Sequence, residues 1–206
     1  HLVRSRAFWK NDFYIDETVL DPRPESELII DITKDLLFDG MKVLDLGCGS
    51  GCIGISLYKE NPNISLFLAD FSKKALRVSK KNAAKLKTEC EIIHSNLFAN
   101  ISGKFDLIVT NLPYITKEDF FFLQKEIILF EPHEALYGGV SGLDAIKLFL
   151  SHVGRYLNNN GIFVVEFGKG QDVLLKKELL RFNFDNFDFH QDFNQVKRLV
   201  CVKKDT

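Results

Sequence analysis

A glycine-rich turn follows the first apolar run of the chain, and its residue types could hold a ligand. Gly47, Gly49 and Gly51 lie at alternate positions directly before a run that favours a helix. Glycine permits positive φ angles and close approach of a ligand to the backbone. The start of a helix adds free N–H groups and a positive dipole end. The candidate cofactor-binding residues of this turn are Asp45, Gly47, Cys48, Gly49, Ser50 and Gly51.

This turn is compatible with two classes of nucleoside cofactor. Residues 49–54 satisfy the G-x-G-x-x-G pattern of nicotinamide-binding turns. Asp45 before the alternate glycines favours S-adenosylmethionine, because an acid at this place suits a cationic ammonium group. Asp70 ends the next apolar run about 20 residues later, where an acid can accept both ribose hydroxyls of either cofactor. The turn alone therefore favours S-adenosylmethionine and leaves a dinucleotide, or a turn without a ligand, as alternatives.

The tetrapeptide Asn111-Leu112-Pro113-Tyr114 is the most specific chemical signal in the sequence. An amide nitrogen is a poor nucleophile because its lone pair is delocalised. Its methylation requires alignment with the sulfonium methyl and acceptors for its N–H groups. The Asn111 side-chain oxygen and the Leu112 carbonyl can act as these acceptors.

The last two residues of the tetrapeptide could complete such a site. Pro113 restricts Leu112 to extended conformations, and Tyr114 offers a flat face for a planar group. Asn111, Pro113 and Tyr114 are therefore candidate catalytic residues, the tetrapeptide is a candidate substrate site, and Asn111 is also expected near the cofactor. The alternative is an ordinary turn in which Asn caps and Pro ends a strand.

Strands and helices that could position these residues alternate from residue 41 onward. The expected strands are residues 42–46, 65–70, 91–94, 105–110 and 162–167, with a final antiparallel pair near 186–190 and 197–202. The expected helices are residues 52–60, 72–87, 143–157 and 172–181. This alternation predicts an α/β, Rossmann-like fold, with a mostly parallel seven-stranded sheet and helices on both faces. Ligands bind beyond the carboxyl ends of such strands, where the turn and the tetrapeptide lie.

Composition limits the class of protein. The chain has 206 residues, 46% of them hydrophobic and 27% charged, which fits one globular domain with a small appendage. Its formal net charge of −1 argues against a nucleic-acid-gripping domain. A basic run at residues 73–87 is interpreted as a solvated helix face, with a docking patch as the alternative. We expect residues 41–206 to form the catalytic domain and residues 1–40 a lead-in with a helix near 25–37.

Cysteine usage and hydropathy indicate the compartment. The four cysteines form no C-x-x-C pair and have no His at zinc-ligand spacing. We therefore expect reduced thiols, no metal and a cytoplasmic location, in a bacterium or an organellar matrix. No apolar stretch is long enough to span a membrane, and no signal peptide is visible. Because the first residue is His1 and not Met, we expect the natural N-terminus to lie upstream.

Motifs on both sides of the turn resemble those of one known family. Pro22-Arg23-Pro24-Glu25-Ser26-Glu27 is similar to a P-R-P-E-T-E lead-in, and residues 44–53 to that family's cofactor turn. Residues 130–143 resemble its E-P-x-x-A-L…G-G…G-L segment, and residues 166–171 its E-x-G-x-x-Q segment. In these motifs the chain resembles the HemK/PrmC-type glutamine methyltransferases, which modify peptide chain release factors. The resemblance covers nearly the whole chain.

The resemblance implies a fold, a reaction and residue roles. It implies a class I S-adenosylmethionine-dependent methyltransferase that yields S-adenosylhomocysteine. Gly47 to Gly51 would hold the methionine part of the cofactor, Asp70 its ribose, and Leu97 would contact the adenine. The tetrapeptide would bind a glutamine of the Gly-Gly-Gln loop of a class I release factor. We expect this protein partner, no membrane or nucleic-acid partner, and a monomer.

Two departures from the family pattern keep alternatives open. Leu112 replaces the first proline of the usual N-P-P-Y, and N-L-P-Y is also similar to ribosomal RNA adenine dimethyltransferases. A nucleic-acid amino methyltransferase is therefore the main alternative, and it would need a basic channel and base extrusion. The family's helical N-terminal domain is not seen in this chain, so residues 1–40 are interpreted as the remnant of its linker. Asp45, Asp70 and Asn111 together disfavour an inactive binding module.

Overall fold

The structure is a computed structural model that describes residues 4–204, without the side chains of Glu126, Leu129 and Phe130. The first three residues of the expected lead-in and the last two of the expected catalytic domain lie outside it. The strands are β1 (Ser5–Phe8), β2 (Asn11–Tyr14), β3 (Lys42–Leu46), β4 (Ser65–Asp70), β5 (Glu91–His94), β6 (Phe105–Thr110), β7 (Leu157–Glu166), β8 (Phe187–Gln191) and β9 (Lys197–Lys203). The helices are α1 (Glu27–Thr33), α2 (Cys52–Glu60), α3 (Lys73–Lys85), α4 (Lys117–Phe121), α5 (Lys125–Phe130), α6 (Asp144–Val153) and α7 (Asp172–Arg181).

A seven-stranded sheet forms the centre of the molecule in the order β5-β4-β3-β6-β7-β9-β8. The strands from β5 to β7 run parallel, whereas β9 is antiparallel to both β7 and β8. The strand order reverses between β3 and β6. Strands β4 and β5 lie on the outer side of β3, and strands β7, β9 and β8 lie on the outer side of β6. The expected mostly parallel sheet of this fold class is confirmed, and its switch point lies where such sheets bind ligands.

Helices cover both faces of this sheet because its central strands are apolar on both sides. On one face, Phe149 of α6 and Leu175 of α7 pack in a cluster with Phe163 of β7. On the other face, Ile55 of α2 packs in a cluster with Ile29 of α1. Ser72 accepts a hydrogen bond from Ala75 N and thereby caps the start of α3.

The lead-in contains a hairpin that the sequence analysis did not predict. Strands β1 and β2 pair antiparallel, and Phe8 and Phe13 are 1% and 0% exposed in the same cluster as β3 and α2. The expected helix near 25–37 is shorter than predicted, because 3-10 turns at Pro24–Ser26 and Lys34–Leu36 flank α1. The described part of the lead-in therefore packs on the core of the sheet domain.

The segment between β6 and α6 also differs from expectation. Helices α4 and α5 and a 3-10 turn at His133–Ala135 were not predicted. Phe121 and Phe122 in this segment are 74% and 81% exposed. Strand β7 begins five residues before the predicted 162, with a bulge opposite the start of β6. Within residues 4–204, no helix has the length and apolar character needed to cross a membrane.

Candidate active site

The turn and the tetrapeptide leave the sheet side by side. Leu46 at the end of β3 pairs with Thr110 at the end of β6, and the Thr110 hydroxyl donates to the Leu46 carbonyl at 2.6 Å. Gly47 and Asn111 are the next residues on each strand. A Cβ on Gly47 would lie 3.5 Å from Leu112 Cδ2, so the leucine side chain packs directly on the turn. The sheet thus brings together the two segments to which the sequence assigned chemistry.

Backbone hydrogen bonds hold the turn against the end of β4. The N–H groups of Gly47 and Cys48 donate to the Ala69 carbonyl at 2.8 and 3.0 Å. The φ angles of Gly47, Gly49 and Gly51 are +74°, +53° and +79°, in the left-handed region that favours glycine. These residue types are therefore required by the shape of the turn.

Asp70 lies between the turn and α3 and faces the cleft above them. Its Oδ2 accepts from Gly49 N at 2.9 Å, and its Oδ1 accepts from Ser72 N at 2.8 Å. Each carboxylate oxygen has two lone pairs, so both could accept a further hydroxyl. Burial raises the pKa of Asp70, and the backbone donors partly offset this effect. This geometry fits the ribose role that the sequence assigned to Asp70.

Asp45 has a different position, beneath the turn. Its side chain is 1% exposed, and its Oδ2 accepts from Gly54 N at 2.8 Å inside α2. Its Oδ1 has no hydrogen-bond partner among the described residues. Burial raises the pKa of Asp45 to about 7, with a smaller contribution from the negative charge of Asp70. Asp45 does not line the cleft, and its contact with a cofactor ammonium stays a prediction.

A cleft opens above the turn. The sequence-predicted residues that line it are Gly47, Cys48, Gly49, Ser50, Asp70, Asn111, Leu112 and Pro113. Gly51 lies below the surface of the cleft, and Leu97 packs at the edge of a core cluster with a φ of +45°. Tyr114 lines a second, smaller cavity, and Asn111 lines both.

Several residues that line the cleft were not assigned as site residues from the sequence. They come from the lead-in and from the segment after β6: Thr18, Pro22, Arg23, Ser26, Pro132, Glu134 and Ala135. Arg23 Nη2 joins the two segments by donating to both carboxylate oxygens of Glu131 at 2.7 Å. Burial raises the pKa of Glu131, and the charge of Arg23 opposes this. The P-R-P-E-S-E and E-P-H-E-A-L motifs were the available signal, but neither motif indicates a role by itself.

A chain of buried hydrogen bonds lies behind the tetrapeptide. Asn111 Nδ2 donates to Ser26 Oγ at 3.0 Å, and Ser26 Oγ donates to Glu166 Oε2 at 2.5 Å. The Tyr114 hydroxyl donates to Glu166 Oε1 at 2.9 Å, and Gln171 Nε2 donates to the Tyr114 carbonyl at 2.8 Å. Burial raises the pKa of both Glu166 and Tyr114. Tyr114 is therefore neutral at physiological pH and anchored at both its hydroxyl and its carbonyl.

The thiols in the turn do not provide a nucleophile. Burial raises the pKa of Cys52 to about 12 and the pKa of Cys48 well above its usual range. Both thiols are thus protonated at neutral pH and pack as small apolar groups. In the described ranges, no group of three or more His, Cys, Asp or Glu could hold a metal ion.

Comparisons with known proteins identify the family. The profile of the methyltransferase small domain matches residues 24–139. A release factor glutamine methyltransferase of Koribacter versatilis is 34% identical over all of this chain and 74% of its own length. The chain belongs to the release factor glutamine methyltransferase family. It is therefore an S-adenosylmethionine-dependent methyltransferase, and the nicotinamide-enzyme alternative is wrong.

Other relatives are longer than this chain. A release factor glutamine methyltransferase of Rhodospirillum rubrum is 37% identical over 82% of this chain, which spans 53% of that protein. A bifunctional methyltransferase of Rickettsia typhi is 32% identical over 98% of this chain, which spans 43% of that protein. The chain therefore corresponds to about half of each of these two proteins.

Solved structures agree with the fold. A methyltransferase of Pyrococcus furiosus has a TM-score of 0.71 at 14% identity and covers 97% of this chain and 92% of its own. A Thermus thermophilus 16S rRNA N2 G1207 methyltransferase has a TM-score of 0.69 at 16% identity and covers 97% of this chain and 49% of its own. At these identities the likeness shows the fold alone.

Proposed function

We propose that this chain transfers the methyl group of S-adenosylmethionine to the side-chain amide nitrogen of a glutamine, within the Gly-Gly-Gln motif of a class I peptide chain release factor. The observation that carries the proposal is the position of Asn111, which lines both the large cleft over the glycine turn and the second cavity beside Tyr114. A carboxamide in the second cavity would thus approach the large cleft at Asn111. The release-factor names of the relatives support this choice of substrate.

The cleft residues fit the cofactor. The turn from Gly47 to Ser50 exposes backbone to the cleft without side chains at the glycines, and Asp70 keeps free lone pairs for ribose hydroxyls. When bound, the cofactor would supply an electrophilic methyl group on a sulfonium. The lead-in and the segment after β6 form a roof over the cleft, and the ion pair between Arg23 and Glu131 joins these two segments. This roof would keep water away from this part of the cleft.

The tetrapeptide would hold the substrate amide during transfer. Asn111 Oδ1 and the Leu112 carbonyl would accept the two N–H bonds of the glutamine side chain, and Tyr114 would pack on its plane. These acceptors stabilise the positive charge that develops on nitrogen as its bond to methyl forms. One N–H proton is then acidic and leaves to solvent, so no strong base is needed. Leu112 is 7% exposed and packs on Gly47, which restricts the loop where the family usually has proline.

The test uses the chain with S-adenosylmethionine carrying a labelled methyl group and a purified class I release factor. We expect label in one tryptic peptide, at the glutamine of the Gly-Gly-Gln motif, by tandem mass spectrometry. A release factor with that glutamine changed to alanine is the matched control and should remain unlabelled. Label at another residue, or none with a folded and cofactor-binding chain, would overturn the proposal.

A ribosomal RNA adenine is the second candidate substrate, because residues 111–114, N-L-P-Y, resemble the tetrapeptide of ribosomal RNA adenine dimethyltransferases. The chemistry is similar, since an exocyclic amine is also planar and weakly nucleophilic. The formal net charge of −1 offers little general attraction for RNA. Incubation with ribosomal RNA under the same conditions separates the two candidates, and labelled N6-methyladenosine after nuclease digestion would favour this one.

A further inference from the structure

Three segments distant in sequence meet behind the Asn111 side chain. Asn111 follows Thr110, the last residue of β6, and Glu166 is the last residue of β7, directly after Val165, which pairs with Thr110. Ser26 reaches the same place from the lead-in, 85 residues before Asn111. Ser26 is 2% exposed and Glu166 is 0% exposed, so water cannot readily replace either as a partner. The fold itself therefore brings Asn111, Ser26 and Glu166 into contact.

The directions of the hydrogen bonds in this cluster are determined by the groups at its far end. The two oxygens of Glu166 each face a hydroxyl donor, from Ser26 at 2.5 Å and from Tyr114 at 2.9 Å. Burial raises the pKa of Glu166, whereas these two hydroxyl donors lower it and stabilise the ionised carboxylate, which can only accept. A serine hydroxyl carries one proton, and Ser26 directs it to Glu166. Its oxygen can therefore only accept from a third group.

This restriction sets the orientation of the asparagine. Ser26 Oγ accepts from Asn111 Nδ2 at 3.0 Å, so the nitrogen branch of the carboxamide faces Ser26. The oxygen branch of the same planar group then points away from Ser26. The two branches have nearly the same size, so packing alone does not select between them, and hydrogen bonding must.

We propose that Ser26 and Glu166 are positioning residues that orient the Asn111 carboxamide so that its oxygen faces the substrate amide. The inference rests on the proposed function, in which that oxygen accepts a substrate N–H. An inverted carboxamide would place its own N–H groups against those of the substrate and would lose the acceptor. Ser26 acts through Asn111 and needs no contact with the reacting atoms.

The kinetic test compares Ser26→Ala with Ser26→Thr. Alanine removes the acceptor, whereas threonine keeps the hydroxyl and is the residue of the P-R-P-E-T-E motif that this segment resembles. We expect Ser26→Ala to lower kcat about tenfold or more, equivalent to about 1.4 kcal/mol. The dissociation constant for S-adenosylmethionine should stay within about twofold of the wild-type value. Ser26→Thr should restore most of kcat.

Ser56→Ala is the matched control, because Ser56 is a buried serine of α2 whose hydroxyl has no hydrogen-bond partner among the described residues. We expect its kcat to match the wild-type value. If Ser26→Ala does not fold, Ser26→Cys keeps the volume with a much weaker acceptor and should show the same loss. An unchanged kcat in a folded Ser26→Ala or Ser26→Cys chain, or a loss that Ser26→Thr does not restore, would overturn the proposal.

A second readout needs no substrate. In chains labelled with ¹⁵N-asparagine, the Asn111 side-chain amide protons, assigned by their absence in Asn111→Ala, should exchange slowly with solvent. Exchange should accelerate at least about tenfold in Ser26→Ala and stay slow in Ser26→Thr and Ser56→Ala. If wild-type chain does not label a release factor but shows this pattern, only the proposed substrate is wrong. If the exchange rate does not depend on Ser26, the positioning role is wrong.

Discussion

Asp45 is the last but one residue of β3 and Asp70 is the last residue of the neighbouring β4, and the backbone around each determines what its carboxylate can do. Asp70 accepts one N–H on each oxygen and still faces the cleft. Asp45 turns beneath the glycines, toward Gly54 in α2, and keeps one oxygen without a partner among the described residues. Two aspartates near the carboxyl ends of neighbouring strands thus differ in their access to a ligand.

Asn111→Ala should separate turnover from cofactor binding. Removing the side-chain acceptor should lower kcat about a hundredfold, a typical loss when one charge-stabilising hydrogen-bond partner is deleted from an active site. The dissociation constant for S-adenosylmethionine, measured by calorimetry, should rise less than about threefold. Asp70→Ala is the counterpart and should mainly weaken cofactor binding. Equal losses of cofactor affinity in the two variants would contradict the separate roles of Asn111 and Asp70.

Asp45→Asn should change how stability depends on pH. The folded pKa of Asp45 is raised from 3.8 to about 7, so folding takes up a proton between these pH values. The free energy of unfolding of the unliganded chain therefore falls as pH rises through this window and is level above it. Asparagine mimics the neutral acid, so the variant should be more stable above pH 7 by a few kcal/mol, since one pKa unit equals about 1.4 kcal/mol.

Urea unfolding at pH 4 and pH 8 checks this expectation. The difference between variant and wild type should be small at pH 4 and large at pH 8. Asp188→Asn is a control, because Asp188 is an exposed acid on strand β8. A difference that is the same at both pH values would mean that Asp45 is ionised throughout.

Chain order explains which site residues the sequence could reveal. Asp70 and Asn111 follow apolar strands whose carboxyl ends share one edge of a parallel sheet, so pattern alone places both near a ligand. Ser26 and Arg23 reach the site through contacts across 85 and 108 residues. Such contacts depend on the path of the lead-in, which has no periodic pattern, and only the family resemblance singled these motifs out.

At the scale of elements, regular apolar patterns and short irregular segments differ in predictability. The parallel strands carry continuous apolar runs, and the mostly parallel seven-stranded sheet that these runs predicted is confirmed. Helices α4 and α5 have only five and six residues, too few to show helical periodicity. Strands β1 and β2 have four residues each and are stabilised by packing of Phe8 and Phe13 on the sheet domain. Tertiary contacts, which the sequence does not display, determine these segments.

Gly142→Ala should damage the catalytic loop through packing. Gly142 has a φ of +73°, and a Cβ there would overlap the Tyr114 carbonyl oxygen and Gln171 Nε2, which are hydrogen bonded to each other. The added methyl group must displace the loop that carries Tyr114. We expect kcat to fall about tenfold or more, because small misplacements at an active site are costly.

Gly103→Ala is the matched control for Gly142→Ala. Gly103 has a similar φ of +83°, but a Cβ there meets no atom within 4 Å. It should cost about 1 kcal/mol of stability from backbone strain, and kcat should be unchanged. Thermal unfolding and steady-state kinetics on both variants distinguish strain from displacement. Equal kinetic effects would show that the packing around Gly142 does not matter.

At the scale of the whole molecule, the cleft is assembled from segments that are distant from one another in the sequence. The floor comes from strand ends of the sheet, whereas the roof comes from the lead-in and from the segment after β6. Arg23 and Glu131 join the two parts of this roof, and the Glu131 side chain is only 7% exposed. Charge-assisted hydrogen bonds of this kind are about twice as strong as neutral ones. The pair should therefore control how tightly the roof closes over a cofactor.

Glu131→Gln should loosen that closure with little effect on the sheet. The amide replaces one acceptor of Arg23 Nη2 with a donor, so the bidentate contact is lost. Losing a hydrogen bond to a charged group costs about 1.5–3 kcal/mol, so we expect the dissociation constant for S-adenosylmethionine to rise about tenfold or more. Asp172→Asn removes a pair with Lys197 that is not part of the cleft lining, and it should leave that constant unchanged. Stopped-flow measurements should show that S-adenosylmethionine dissociates faster from Glu131→Gln than from the wild-type chain, because an open roof no longer retains the cofactor. Unchanged release would mean that Arg23 and Glu131 stabilise the fold without closing the cleft.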